Sequence, residues 1–327
     1  MINRICGLAV LMLIGVGMGS ADTEYAAPGS LFEVEGHRMH LHCTGQGAPT
    51  VVLDSGLGGT SLDWSRVQPW LSDSNRVCSY DRPGYGWSRA TPGTRSSAVI
   101  ARELHKLLQQ ADEAPPYVLV GHSFGGWNMQ LFEHQYPEDV AGLVLVDASQ
   151  ARQIERYEQA GRAVAPRGRF MVFSPATIPP ALPADIRPVV EHLTYRAVTN
   201  RTVHTELAAF RDSALQVQKT SLPPELPLVV VSRGRPIRSA NASAVASEKL
   251  WRDMQQEFVE SHPGSVHLVA QHSGHHVHLE QPGVVAGAIC IAMQMARAGE
   301  TRRLPRGWLE QRCLNPLRSA SAYLPAR

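Results

Sequence analysis

The chain has 327 residues, of which 43% are hydrophobic and 18% are charged. This composition is sufficient for a sizeable buried core and is not that of a disordered chain. The 31 basic and 29 acidic side chains leave a net charge of +2 without a run of like charge. The charge pattern therefore gives no reason to expect a nucleic acid or an anionic membrane as a partner.

The first 21 residues have the pattern of a cleaved signal peptide. Arg4 supplies positive charge, an apolar stretch begins at Ile5, and Gly19, Ser20 and Ala21 offer the small residues of a cleavage site. A membrane anchor is the alternative, but the stretch is shorter than the roughly 20 residues that a spanning helix requires. We expect export to the periplasm or the extracellular space, with no stable membrane span after the signal is removed.

Short apolar runs and amphipathic stretches alternate along the rest of the chain. Residues 96–113 carry apolar side chains at the i, i+3 and i+4 spacing of an amphipathic helix. Strands that are apolar throughout and separated by helices favour a mostly parallel sheet covered on both faces, and hence an α/β fold. The strand candidates are residues 31–35, 38–43, 50–54, 76–80, 117–120, 142–146, 226–231 and 266–270.

Residues 150–224 break this alternation. They show no strand pattern, prolines crowd their middle, and residues 154–161 and 203–218 have helical patterns. We interpret the segment as a small, mostly helical cap inserted between two strands; an irregular surface excursion is the alternative. The predicted core is then residues 22–149 and 225–299, and the charge-rich residues 300–327 form a tail outside the main fold.

Export changes the interpretation of the four cysteines that remain after the signal, because disulfides form in oxidising compartments. Cys290 lies in the last predicted helix and Cys313 in the tail, so a disulfide between them would tie down a loose terminus. Cys43 and Cys78 lie on separate predicted strands and are either paired or buried thiols. The sequence contains no C-x-x-C pair, which argues against a zinc knuckle.

A Gly-x-Ser-x-Gly motif joins the predicted strand at residues 117–120 to a helical pattern. Gly121 and Gly125 flank Ser123 at two residues' distance on either side. In this context the serine lies on a tight turn where larger neighbours would clash, and its hydroxyl is exposed beyond the sheet. The following helix directs its first N–H groups at any oxyanion there. The motif predicts Ser123 as a nucleophile.

A serine hydroxyl requires a base to accept its proton. His275, His276 and His278 follow the last predicted strand, and the carboxyl ends of parallel strands meet at the same edge of the sheet. His275 follows Gly274 and precedes a predicted helix, so it is the expected base. A metal site using His276 and His278 is the alternative, but no cluster of Asp or Cys accompanies them.

These motifs together resemble the α/β-hydrolase superfamily, over residues 31–298. Residues 54–59 (DSGLGG) are similar to the family's loop after the third strand, although Ser55 stands where histidine is more usual. Residues 81–88 (DRPGYGWS) are similar to its D-R-x-G-x-G-x-S loop, in which Trp87 is a candidate for lining a pocket. The resemblance implies an eight-stranded sheet and an oxyanion hole from the backbone N–H groups of Leu57 and Phe124, at about 3–4 kcal/mol per donor.

A serine nucleophile and a histidine base usually act with a third residue, an acid that orients the histidine, and the three form a catalytic triad. The acid is not at the family's usual position in this sequence. Residues 232–237, after the seventh predicted strand, read SRGRPI and contain no carboxylate. Asp147 ends the sixth predicted strand, where some members of the superfamily carry the acid, so the resemblance implies Asp147. Glu248 and Asp253, inside a predicted helix, remain alternatives, and Asp147 would then only cap its strand.

A serine nucleophile implies an acyl-enzyme, whereas members that open epoxides generally use a carboxylate. We therefore expect a serine hydrolase that cleaves a carboxylic ester or related acyl bond of a small molecule and needs neither a cofactor nor a metal. An aminopeptidase or a carbon–carbon bond hydrolase on the same scaffold is an alternative. A catalytically silent binding protein is another. Reaction with a fluorophosphonate would separate the silent protein from the enzymes.

Overall fold

The computed structural model describes residues 25–161, 178–237 and 242–298, together with Cys313 and the pair Ala322–Tyr323. The signal peptide predicted for residues 1–21 lies outside the described residues, and so does most of the segment 300–327. Within the described parts, every helix is too short or too polar to cross a membrane.

A nine-stranded sheet lies at the centre of the described residues. The eight predicted strands are confirmed with small shifts at their ends. They are β1 (Ser30–Val34), β2 (His37–Thr44), β3 (Thr50–Asp54), β4 (Val77–Tyr80), β5 (Tyr117–His122), β6 (Val140–Val146), β7 (Leu228–Arg233) and β8 (Val266–Ala270), and β9 is Ala322–Tyr323. The order in the sheet is β1-β2-β4-β3-β5-β6-β7-β8-β9. The six adjacent strands from β4 to β8 are parallel, and β1, β2 and β9 are antiparallel to their neighbours.

Helices cover both faces of the sheet. They are α1 (Gln68–Ser72), α2 (Ser97–Gln110), α3 (Gly125–Gln135), α4 (Gln153–Gln159), α5 (Arg187–Thr194), α6 (Ala197–Ala208), α7 (Phe210–Gln218), α8 (Ala242–Glu260), α9 (Val277–Glu280) and α10 (Pro282–Ala298). Successive side chains of a strand point to opposite faces, so in β3 Val52 packs into the core beneath α2, α3 and α7, and Val51 and Leu53 pack into the core beneath α1 and α10. This explains why the middle positions of the central strands are apolar on both faces.

Four of these helices, α4 to α7, lie between β6 and β7. The described residues of the segment 150–224 contain no strand. The long pattern at residues 203–218 is divided at Ala209 between α6 and α7. Helix α5 begins directly before Pro188, which occupies its first turn, where the missing N–H of proline leaves no hydrogen bond unmade.

Two disulfides are present in the described residues. The predicted bond between Cys290, in α10, and Cys313 is confirmed. Cys43 and Cys78 are also bonded, and they face each other on the neighbouring strands β2 and β4. The sequence pattern places residues 300–327 outside the main fold, but Cys313 is buried in the core and β9 extends the sheet beside β8.

Candidate active site

Ser123 occupies the turn between β5 and α3. Its φ of 53° lies in the left-handed region, which non-glycine residues adopt at a cost and which recurs at functional sites. The turn tolerates no side chain at its glycines, because a Cβ on Gly121 would lie 2.5 Å from the carbonyl oxygen of Gly125. A Cβ on Gly125 would lie 2.6 Å from the carbonyl oxygen of Asp54. The close approach of these segments holds Ser123 at the end of the sheet.

His275 connects Ser123 to Asp147. It lies in the loop between β8 and α9, and its side chain is 22% exposed. The Ser123 hydroxyl donates to His275 Nε2 over 3.0 Å, and His275 Nδ1 donates to Asp147 Oδ2 over 2.6 Å. The backbone of the loop is held as well, because the ring of His122 donates from Nε2 to the carbonyl oxygen of His275 over 2.9 Å. The structure thus brings the three predicted residues into one hydrogen-bonded chain.

Asp147 follows β6 and is fully buried, with four hydrogen-bond donors around its carboxylate. Besides His275, Arg233 Nη1 donates to Oδ2 over 2.6 Å and Trp251 Nε1 donates to Oδ1 over 2.9 Å; the backbone N–H of Arg233 also reaches Oδ1, at 3.3 Å. Burial by itself raises the pKa of Asp147, but the hydrogen bond and charge of His275, the charge of Arg233 and the bond from Trp251 outweigh it and hold that pKa below 3.8. Asp147 is therefore an anion at neutral pH.

Neither alternative acid lies against the histidine. Glu248 Oε2 accepts from the guanidinium of Arg233, at 2.9 Å from Nη2, and Oε1 accepts from the N–H of Ile237. Asp253 pairs with Lys249 over 2.6 Å on the exposed side of α8. Among the described contacts, His275 Nδ1 has Asp147 as its carboxylate partner.

The loop after β3 lies beside Ser123. A Cβ on Gly56 would lie only 3.1 Å from the Cβ of Ser123. Within the described residues, no acceptor is paired with the backbone N–H of Leu57 or with that of Phe124, and both residues line the same cavity as Ser123. Ser55, at the position where histidine is more usual, donates to the carbonyl oxygen of Thr60 over 2.7 Å. It closes the loop on itself without occupying the cavity.

A cavity of about 460 Å³ opens above Ser123 and His275. Its wall includes side chains from the segment between β6 and β7 and from α8, and Phe124 and Phe210 stack there with ring centroids 5.7 Å apart. A cavity of this size and apolar character holds a small molecule. The apolar lining residues are Leu57, Phe124, Leu207, Phe210, Ile237, Ala244 and Trp251, and the polar ones include Gln153, Tyr157, Arg233 and Glu248.

Of the two histidines that follow His275, His276 is half-buried and His278 is fully buried, and both are neutral at pH 7. Burial and the neighbouring His275 lower the pKa of His276 to about 4, and burial lowers that of His278 far below its ordinary value. Within the described residues, only Cys43, Cys78 and Glu113 bring three ligand atoms as close as 4.8 Å. Two of those atoms are the sulfurs of a disulfide, so no metal-binding arrangement is shown for the histidines.

Sequence reasoning missed two arginines. Arg233 ends β7, which lies beside β6, the strand that Asp147 follows. It is part of the SRGRPI stretch, which contains no carboxylate. A positive charge at the end of the strand beside Asp147 could have predicted the ion pair between the two residues. Arg82, in the loop 81–88, is fully buried and binds the carboxylates of Asp54 and Glu206. Trp87 of the same loop lines a cavity with Tyr25, separate from the one that contains Ser123.

Two curated proteins match most of the chain. "Uncharacterized protein C23C11.06c" of Schizosaccharomyces pombe is 26% identical over 311 residues, which is 81% of this chain and 56% of that protein. "Uncharacterized protein YqjL" of Bacillus subtilis is 24% identical over 273 residues, which is 81% of this chain and 93% of that protein. The chain thus spans little more than half the length of the fission-yeast relative.

Solved structures share the fold at low sequence identity. A thermophilic esterase from Thermogutta terrifontis has a TM-score of 0.57 at 21% identity, over 83% of this chain and 98% of that chain. An epoxide hydrolase from Vigna radiata has a TM-score of 0.60 at 15% identity, over 81% and 98%. Because one of these proteins is named an esterase and the other an epoxide hydrolase, the shared fold by itself does not identify a reaction. Residues 51–288 match the Alpha/beta hydrolase family, and the chain therefore belongs to the α/β-hydrolase family.

Proposed function

We propose that this protein is a serine hydrolase that cleaves a carboxylic ester, or a related acyl bond, through an acyl-enzyme. The observation that carries the proposal is the hydrogen-bonded chain from Ser123 through His275 to Asp147 at the floor of a largely apolar cavity. Serine is the nucleophile of acyl transfer, and an adjacent base oriented by a third group is what activates it.

Each residue has a role in the proposed reaction. His275 Nε2 accepts the proton of Ser123 as Oγ attacks the carbonyl carbon, and ionised Asp147 stabilises the imidazolium that forms. The N–H groups of Leu57 and Phe124 bind the negative oxygen of the tetrahedral intermediate. His275 then gives its proton to the leaving alcohol, and the same steps with water release the acid. Neither a cofactor nor a metal takes part.

The substrate class follows from the cavity. Its volume suits a small molecule, and Phe124, Phe210 and Trp251 favour an apolar acyl or alcohol group. Helices α4, α6 and α7 each contribute a lining residue, which supports the interpretation of residues 150–224 as a cap over the site. The relative whose name is esterase shares the fold and is consistent with this reaction.

Labelling and turnover test the proposal directly. The wild-type protein should react with a fluorophosphonate at Ser123 and hydrolyse members of an ester panel graded from acetate to long acyl chains. Ser123→Ala should abolish both reactions with little change in unfolding temperature, because its hydroxyl contacts His275 rather than the core. A folded wild-type protein that resists labelling would indicate a silent binding protein. If the protein instead hydrolysed amides in preference to every ester, an aminopeptidase would be favoured. If it cleaved carbon–carbon bonds in preference to every ester, a carbon–carbon bond hydrolase would be favoured.

The same ester separates the three candidate acids. Asp147→Asn should lower turnover by about four orders of magnitude, as loss of the orienting carboxylate does in serine proteases. Glu248→Gln and Asp253→Asn, which keep the contact between Asp147 and His275, serve as controls. Near-normal turnover in Asp147→Asn, together with a collapse in either control, would assign the acid elsewhere.

A further inference from the structure

A buried ionic network connects the loop after β3, residues 54–59, to helix α6; this loop contains Leu57 and is called the oxyanion loop below. All five N–H groups of the Arg82 guanidinium donate. On one side, Nη1 reaches Asp54 Oδ1 and the Ser55 carbonyl oxygen, both at 2.7 Å, and Nη2 reaches the Gly56 carbonyl oxygen at 2.8 Å. On the other side, Nε and Nη2 bind the two carboxylate oxygens of Glu206, at 2.8 and 3.2 Å. The rigid fork of the guanidinium therefore has one side on the loop and the other on α6.

The contact to Gly56 bears on the oxyanion hole, because the carbonyl of Gly56 and the N–H of Leu57 belong to one peptide group. That group is planar, with its C=O and N–H pointing in opposite directions. Holding the Gly56 oxygen on Arg82 therefore sets the direction of the Leu57 N–H at the other end. A cation on the carbonyl also polarises the peptide and makes its N–H a stronger donor.

Glu206 completes this arrangement from outside the loop. Its side chain is fully buried and also accepts from the hydroxyl of Tyr85 over 2.7 Å. Helix α6 is pressed against the loop 81–88 at a second point, where a Cβ on Gly84 would lie 2.0 Å from Thr202 Oγ1. The φ of Gly84 is +91°, which favours glycine independently of that contact. The position of α6 is thus transmitted to Arg82 by a carboxylate and by direct packing.

We propose that Glu206 is a positioning residue: through Arg82 it holds the Gly56–Leu57 peptide so that the Leu57 N–H is directed at the oxyanion. Helix α6 of the inserted segment then contributes to transition-state stabilisation as well as to the cavity wall. The inference rests on the proposed serine hydrolase function. It differs from a purely structural role, in which the buried pair would affect folding stability and leave the chemistry of the folded protein unchanged.

Glu206→Gln tests the inference, with Glu103→Gln as a matched control. Glu103 is a buried helical glutamate paired with a buried arginine, Arg95, over 2.7 Å, and its network has no contact with the oxyanion loop. Both variants should lower the unfolding temperature. Only Glu206→Gln should lower kcat, by about 10- to 100-fold, with KM changed by less than about 3-fold, because the lost interaction is made in the transition state.

Two further readouts identify the oxyanion hole as the cause. A trifluoromethyl ketone built on the best ester forms a tetrahedral adduct with Ser123 that bears a negative oxygen, and its inhibition constant should rise by the factor by which kcat falls. The pH dependence of kcat should be unchanged, because the contacts of His275 and Asp147 are intact. Tyr85→Phe, which removes one hydrogen bond to Glu206 and keeps the charge, should lower kcat in the same direction by a smaller factor.

Unchanged kcat in a folded Glu206→Gln protein would overturn the inference, and so would an equal loss in Glu103→Gln or a rise in KM alone. If Glu206→Gln does not fold, Tyr85→Phe decides, and wild-type kcat in that variant overturns the inference. A wild-type protein that neither hydrolyses an ester nor reacts with the fluorophosphonate overturns the proposed function and this inference together. The wild-type measurement therefore distinguishes the two failures.

Discussion

At the residue scale, the positive charge of Arg233 compensates for the buried negative charge of Asp147. A buried carboxylate is unfavourable unless it is paired and hydrogen-bonded, and Asp147 has the guanidinium of Arg233 at 2.6 Å. The same guanidinium binds Glu248 at 2.9 Å on the rim of the cavity. Arg233 thus neutralises the negative charge around His275 and helps to keep Asp147 ionised.

We predict that Arg233→Gln moves the acid limb of turnover to higher pH, by about one pH unit. Removing a positive charge favours the protonated form of the groups beside it. The pKa of Asp147, held low in part by Arg233, therefore rises. The hydrogen-bonded triad, with one positive charge fewer beside it, then takes up a proton as a unit at a higher pH, and turnover is lost there. The measurement is kcat as a function of pH on the best ester.

Arg233→Lys is the matched control because it retains the charge and loses only the fork geometry. Its acid limb should stay close to that of the wild-type protein. If both variants kept the wild-type limb, or if the Lys variant shifted as far as the Gln variant, the charge of Arg233 would not be what holds Asp147 ionised.

At the scale of elements, the shape of the turn from β5 to α3 depends on the close approach of the backbone at the end of β5 to the backbone of the first turn of α3. The end of β5 and the first turn of α3 are in contact at Gly121 and Gly125, and the loop after β3 lies against the same turn. Any displacement of α3 would move the hydroxyl of Ser123 and the N–H of Phe124 together, because both belong to this turn. Packing here and geometry at the site are therefore coupled.

We predict that Gly121→Ala lowers the free energy of unfolding by about 1–3 kcal/mol, the usual cost of overpacking, and also lowers turnover. The new methyl group would meet the carbonyl of Gly125 and displace α3. Urea unfolding and kcat on the best ester measure the two effects. Gly36→Ala, at a β1–β2 turn where a Cβ would meet nothing within 4 Å, should leave turnover unchanged, and equal turnover in both variants would contradict the coupling.

The elements that the sequence predicts well are those with a local signal. The central strands contain continuous apolar runs, and Ser123 lies between a strand and a helix in a motif that the sequence shows directly. Helix α5 lacks such a signal because prolines crowd its surroundings, and α9 is only one turn long. The pair of Arg82 and Glu206 could not be read from the sequence, because 124 residues separate the two side chains that meet.

At the scale of the whole molecule, the described chain is cross-linked at two places. The Cys43–Cys78 bond joins β2 to β4 near one edge of the sheet, and the Cys290–Cys313 bond joins α10 to the segment that also supplies β9 at the other edge. The bonded cysteines are 35 and 23 residues apart. In the chain-entropy description, a cross-link that closes a loop of that length stabilises the fold by about 3.5 kcal/mol. The Cys290–Cys313 bond could be predicted from the sequence because Cys313 lies alone in the predicted tail. The Cys43–Cys78 bond could not, because it depends on the register of β2 on β4, which tertiary packing sets.

Two disulfides and the pattern of residues 1–21 lead to one prediction about the whole protein: its mature form begins at or near Asp22 and is found outside the cytoplasm, with four bonded cysteines. Disulfides form and persist in oxidising compartments, and the pattern of residues 1–21 is that of a signal peptide. Intact mass of the protein recovered from cell fractions measures the start of the chain. Alkylation without reduction should leave Cys43, Cys78, Cys290 and Cys313 unmodified, and alkylation after reduction should modify all four. Residues 1–21 retained in a membrane fraction, or thiols that alkylate without reduction, would contradict the prediction.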